Sequence, residues 1–272
     1  SVWERARTPT LELYCDRIAR GQADLAGHPD ASKRAADEAD AALPGHAAPK
    51  VLRARALLAL GMAPEAAAAF AEALALDPRC VEDPAALHAY ARALLRAGKR
   101  AEALAAYRAL APRAEFIGSA TERALALIEA ADVSMAVAAG SPPARLDEAV
   151  AYLREARLRA PSELAADASL ALALALDRAG DHAASDAALS EGARAGARVR
   201  AFAFLAAPED QIAIEALALE PGDKAGAQKK WEAFLAGAGG HGPWAATARA
   251  RVDGLRRGGG RRVARPQRRA AP

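Results

Sequence analysis

The sequence predicts an all-α protein assembled from repeated helical hairpins, and three features support this. Alanine makes up about 30% of the 272 residues, and it is the best helix former because it loses no side-chain entropy and buries no polar group. Aromatic residues amount to 4% and β-branched residues are scarce, so little in the composition favours strands. Glycine and proline also recur at a fixed interval. Gly27 and Pro44 precede Gly61 and Pro78 by the same 34 residues, a period expected of stacked helix–turn–helix units.

The best-formed unit is 47–80, AAPKVLRARALLALGMAPEAAAAFAEALALDPRC. Gly61-Met62-Ala63-Pro64 divides it into two helices and Asp77-Pro78 closes it. Ala54 and Ala66 fall where the two helices must approach, Phe70 is a bulky wedge, and Ala73 is the next small contact. In these spacings the stretch resembles a tetratricopeptide (TPR) repeat. The resemblance implies a right-handed αα-superhelix, a TPR-like solenoid of about six hairpins plus a C-terminal capping helix.

Residues 1–12 form a lead-in, with Trp3 expected to cover the open end of the first repeat and Thr8-Pro9-Thr10 opening the first helix. The 13–46 unit turns at Gly27-His28-Pro29-Asp30, and Ala36 stands where Phe70 later sits, as suits a terminal repeat. After an insert, Val81-Glu82-Asp83, the 84–117 unit breaks at Ala97-Gly98-Lys99. Its small contacts are Ala91 and Ala103 and its wedge is Tyr107; Leu110 and an early Pro112 predict a shortened second helix.

The 119–161 unit has a long first helix, 120–139, then Gly140-Ser141-Pro142-Pro143 and a second helix carrying Ala149, Leu153, Ala156 and Pro161. The 166–199 unit places Ala173, Gly180-Asp181, Ser185, Leu189 and Gly192 in register. Residues 197–210 fit either a short extended segment or an irregular connector. The 208–241 unit breaks at Pro221-Gly222-Asp223, with Ala227 and Trp231 in the small and large places but Glu215 and Phe234 where small residues are usual. Trp244, Ala248, Val252 and Leu255 make 243–257 an amphipathic cap. One repeat domain thus spans 13–257, and 258–272 is a basic tail, disordered by composition.

The net charge of +3 conceals an asymmetry. After Asp253 there is no acidic residue but seven arginines, Arg256, Arg257, Arg261, Arg262, Arg265, Arg268 and Arg269, so the body carries about −4. Such a tail attracts nucleic acid or an anionic membrane surface through phosphates. It also fits a plain solubilising extension, and without interleaved aromatics no specific nucleic-acid recognition is expected. Cys15 and Cys80 are expected to be small buried apolar residues. No apolar window of about 18 residues exists, so no transmembrane helix is expected. The chain reads as soluble, cytoplasmic or periplasmic, with the alanine and arginine usage of a high-GC bacterium. Methionine removal, signal-peptide cleavage and truncation would each account for Ser1.

Nothing in the residue pattern points to catalysis, a cofactor or a metal. GAGGHG at 237–242 follows a helix rather than a strand, so it is expected to be a flexible turn rather than a dinucleotide loop. His28, His46, His88, His182 and His241 are scattered. The expected function is a non-catalytic scaffold or adaptor for protein binding. The resemblance implies that the first helices of the hairpins line a concave groove. Tyr14, Arg17, Arg55, His88, Arg92 and Arg96 would there form a cationic trough for a protein or peptide with an acidic segment or free C-terminus. The lysine and asparagine pattern of carboxylate-clamp TPRs is absent, and the same arginines also fit salt bridges to neighbouring helices. Two further alternatives are the regulatory or targeting region of a longer enzyme, such as a kinase or protease, and association through the tail.

Overall fold

Thirteen α-helices follow one another along the described residues, 9–139, 145–196 and 207–259, of the computed structural model, with no strand among them. Trp3, the 140–144 loop, residues 197–206 of the possible extended segment, and five of the tail arginines lie outside the described residues. The chain divides into two compact units, Ser1–Val137 and Ala138–Pro272.

The first unit contains α1 (Pro9–Asp24), α2 (Pro29–Ala42), α3 (Ala47–Ala59), α4 (Ala63–Leu76), α5 (Pro84–Arg96), α6 (Arg100–Leu110) and α7 (Ala120–Ala138). The helices pack as consecutive hairpins: α1 on α2, α3 on α4, α5 on α6. Prolines open several of them, Pro29, Pro64 and Pro84 lying in first turns where a missing N–H costs nothing. In three hairpins the first helix ends on a left-handed glycine, Gly61, Gly98 or Gly180. Gly61 has φ +80°, which lets its N–H reach the Leu58 carbonyl at 3.1 Å and that of Met62 reach Leu57 at 2.9 Å. The same closed turn forms at Gly98, where Lys99 donates to Leu94 at 2.9 Å.

The small residues at the hairpin contacts are sealed from water. Ala54, Ala66, Ala73 and the Phe70 ring between them are fully buried, and so are Ala91, Ala103 and Tyr107 one unit on. Close approach is tightest at Gly21, where a Cβ would lie 2.6 Å from Leu52 Cδ2. As the early Pro112 implies, α6 stops at Leu110 and passes into a 3-10 turn, Ala111–Phe116.

The second unit contains α8 (Asp147–Arg159), α9 (Ser162–Arg178), α10 (His182–Arg194), α11 (Glu209–Leu219), α12 (Lys224–Ala236) and α13 (Ala245–Gly259). Again α9 packs on α10 and α11 on α12, with α8 on α9 and α13 on α12. Asp181 and Asp223 cap α10 and α12, accepting the Ala184 and Gly226 amides at 3.1 and 2.9 Å. The 237–242 segment is a turn, as expected, and is built on a 3-10 helix, Ala238–His241. A Cβ on Gly240 would lie 1.8 Å from the Leu235 carbonyl oxygen, and one on Gly239 would strike the buried Phe234 ring.

Two buried ion clusters tie this unit together. Arg178 forms a two-pronged pair with Asp210, one bond being 2.8 Å, under the Trp244 ring at 4.8 Å. Arg251, on the capping helix, reaches Asp177 at 2.7 Å, Glu220 at 3.1 Å and Asp186 at 3.3 Å. The Asp177 side chain is 1% exposed, and the Trp231 indole N–H donates to Glu220 at 2.8 Å.

Two substitutions test this packing. Ala66→Leu will lower stability by about 1–3 kcal/mol through overpacking, whereas Ala68→Leu, on the exposed side of the same helix, will change it little; urea unfolding monitored by circular dichroism compares them. Arg251→Leu will destabilise by about 2–3 kcal/mol, because it strips a buried carboxylate of its main counter-charge; thermal unfolding measures the loss.

Candidate functional site

A cavity of about 560 Å³ opens in the first unit between α1, α3 and the segment joining α4 to α5. Its apolar wall includes Val51, Leu52 and Ala86, with Leu76 left 45% exposed. Tyr14 from α1 tilts against His46 with 5.6 Å between ring centroids. Burial raises the Tyr14 pKa, and the neighbouring Cys15 and Asp40 add to it. Arg55 of α3 projects into the same space, half-buried. Among the described residues it has neither a hydrogen bond nor an ion pair.

The reason lies in the helix beside it. The equivalent of Arg55 one unit on is Arg92 of α5, whose Nε and Nη2 meet Glu129 of α7 at 2.8 and 2.7 Å. Beside Arg55 stands α5, PAALHAYARALLR, which contains no acidic residue. The guanidinium that Glu129 neutralises in one unit is therefore left open in the other.

Glu129 is itself fully enclosed. His88 Nε2 lies 2.8 Å from its Oε2 and the Tyr107 hydroxyl donates at 2.9 Å. Since an ionised carboxylate only accepts, the facing histidine nitrogen carries a proton. Burial alone would raise the Glu129 pKa, but the bonds from His88, Arg92 and Tyr107 outweigh it and hold it below the ordinary value of 4.5. The Tyr107 hydroxyl is pushed well above its usual range by burial and then by Glu129.

Of the six trough residues expected from the sequence, the structure brings Tyr14 and Arg55 together around the cavity. His88 and Arg92 turn instead to Glu129, His88 being buried. Arg17 sits 2.8 Å from Glu38 and lines a separate hollow of about 230 Å³ with Arg20 and Arg34. Arg96 is half-buried, and burial, then the nearby Arg92, lowers its pKa. Sequence reasoning missed Glu129 and the cavity residues His46, Leu76, Asp77 and Asp83. The available signal for Glu129 was an acid inside the apolar run ALALIEAADVSMA.

The cysteines differ from expectation. Cys15 is exposed and Cys80 half-buried at the cavity, both free. α1 packs on α2 and α3, and Cys15 lies on its exposed side. In the basic segment, Arg256 pairs with Glu232 at 2.9 Å and Arg257 donates to the Asp253 carbonyl at 3.1 Å. Among the described residues, no three His, Cys, Asp or Glu side chains are grouped to hold a metal ion, and no helix is long and apolar enough to cross a membrane.

No protein-family model matches the sequence, and no curated protein matches it significantly. Solved structures do match the fold. PilF of Pseudomonas aeruginosa superposes with a TM-score of 0.54 at 16% identity, covering 84% of this chain and 92% of its own. MamA from Desulfovibrio magneticus RS-1, from residue 41 to its end, gives 0.53 at 19% identity over 69% and 96%. A MamA RS-1 double mutant gives 0.53 at 17% over 69% and 95%. At these identities the likeness is one of fold: the chain has the TPR-like helical-repeat architecture that these proteins share.

Glu129→Gln will destabilise the first unit at neutral pH by about 2–3 kcal/mol, by removing the charge that Arg92 and His88 surround. The folded-state pKa of Glu129 is depressed, so its contribution is present above pH 4.5 and is lost as pH falls through the lower folded value. Urea unfolding at pH 7 and at pH 3 will show the difference between wild type and variant shrinking at the lower pH.

Proposed function

We propose that this protein is a non-catalytic scaffold that holds a segment of another protein, with Arg55 and Tyr14 at the point of contact. One observation carries the proposal: a half-buried guanidinium, without an internal partner, projects into an open cavity of about 560 Å³. A planar fork of donors in a partly desolvated place suits a carboxylate, so the segment presents an acidic side chain or a free C-terminus to it. Val51, Leu52 and Leu76 give an adjoining apolar surface. The TPR-like architecture supports a scaffold because stacked first helices offer a stiff surface to an extended or helical partner.

The contact is narrower than an arginine-lined trough. Arg17 and Arg92 lie outside the cavity lining, in pairs with Glu38 and Glu129. The non-catalytic assignment is supported by the structural employment of three of the five buried acids among the described residues, since Glu129, Asp177 and Asp210 each receive donors from neighbouring helices.

Affinity capture followed by mass spectrometry tests the proposal. Arg55→Glu will lose partners that the wild type retains, while Arg34→Glu, exposed and outside the cavity, will keep them. Undiminished capture by Arg55→Glu rejects the site.

A further inference from the structure

We infer that the segment held in this cavity carries charges of both signs: a carboxylate for Arg55 and an ammonium or guanidinium for Asp77 and Asp83, with an apolar side chain beside them. The inference rests on the cavity being a binding site and narrows what that site accepts. Asp77 and Asp83 line the same cavity as Arg55, yet no ion pair joins either of them to it.

Both carboxylates are held in place by their positions at helix ends. Asp77 is the C-terminal cap of α4 and accepts the Arg79 amide at 2.9 Å. Its only charged neighbour among the described residues is the Arg79 guanidinium at 3.7 Å, on a side chain 79% exposed and therefore well screened. Asp83 is the N-cap of α5 and accepts the Ala86 amide at 2.9 Å. Neither acid is neutralised by a buried cation.

A purely acidic ligand would gain at Arg55 and be repelled at the two aspartates; a purely basic one would face the reverse. Only a segment with both signs matches the cavity throughout. Val51, Leu52 and Leu76 in the same lining call for an apolar residue beside the charges.

Fluorescence anisotropy with four peptide families, the first three acetylated and amidated, tests this. One family carries only acidic residues, one only basic residues, and one a lysine and an aspartate separated by two or three apolar residues. A fourth places the lysine ahead of a free C-terminal carboxylate, which distinguishes a chain end from an internal acid as the source of the anion. Wild type will bind the mixed families tightest. Asp77→Asn with Asp83→Asn preserves both capping acceptors; it will weaken mixed peptides roughly three- to tenfold and tighten the acidic family. Arg55→Gln will weaken mixed and acidic peptides alike. If acidic peptides bind wild type best and the double variant leaves mixed peptides unchanged, the two-sign inference is wrong while the binding site stands. If no family depends on Arg55, the site itself fails and the inference with it.

Discussion

Everything in this fold depends on how closely two helical backbones approach where side-chain bulk has been removed. Ala54, Ala66 and Ala73 meet with no water between them, and Phe70 fills the space they leave. An interior with the density of an organic crystal has no room for a larger residue there. The same constraint reappears at Gly21 under Leu52 and at Gly192, where a Cβ would lie 3.1 Å from Leu170 Cδ2. Alanine abundance is thus a packing requirement as much as a helical preference.

With bulk removed, polar groups take over the task of distinguishing one hairpin from another. Lys50 and Arg53 of α3 reach carboxylates on α2 and α4 at once: Asp40 at 3.2 Å and Glu72 at 3.5 Å for the lysine, Asp37 at 3.8 Å and Glu72 at 2.7 Å for the arginine. In the second unit Arg251 collects three acids from two hairpins. Lys50, Arg53, Arg92, Arg178 and Arg251 all meet carboxylates on other helices, which is why the half-buried Arg55, lacking such a partner, stands out.

The hairpins were legible because their causes are local. Gly61 and Gly98 each sit one residue beyond a helix cap in the left-handed conformation, and Pro112 stops α6 through its own geometry. The small, large, small spacing of Ala66, Phe70 and Ala73 likewise follows from helical periodicity. The site was legible only in part. The first-helix positions located Tyr14 and Arg55 at the cavity, but whether an arginine is free depends on the helix beside it. Arg55 and Arg92 look alike in sequence and differ because α7 carries Glu129 and α5 carries no acid. Asp77 and Asp83 were hidden as helix-end residues, their local role masking the cavity they share. The exposure of Cys15 was equally invisible, since a small apolar residue reads the same on an inner or outer face.

The wedge position has one further effect. Tyr107 occupies the place that Phe70 holds one unit earlier, and its single extra oxygen completes the socket around Glu129. Near-identical repeats run the risk of stacking one place out of order. A chain that slipped so that Phe70 met Glu129 would bury that acid against a ring with nothing to donate. Val51 would then stand in the place of His88. Arg55 would take the place of Arg92, but the donors that His88 and Tyr107 supply would both be lost, and that mismatch penalises the slipped arrangement. The Tyr107 hydroxyl and the His88 ring together therefore serve as an address, giving an otherwise interchangeable hairpin a fixed place in the order of the chain.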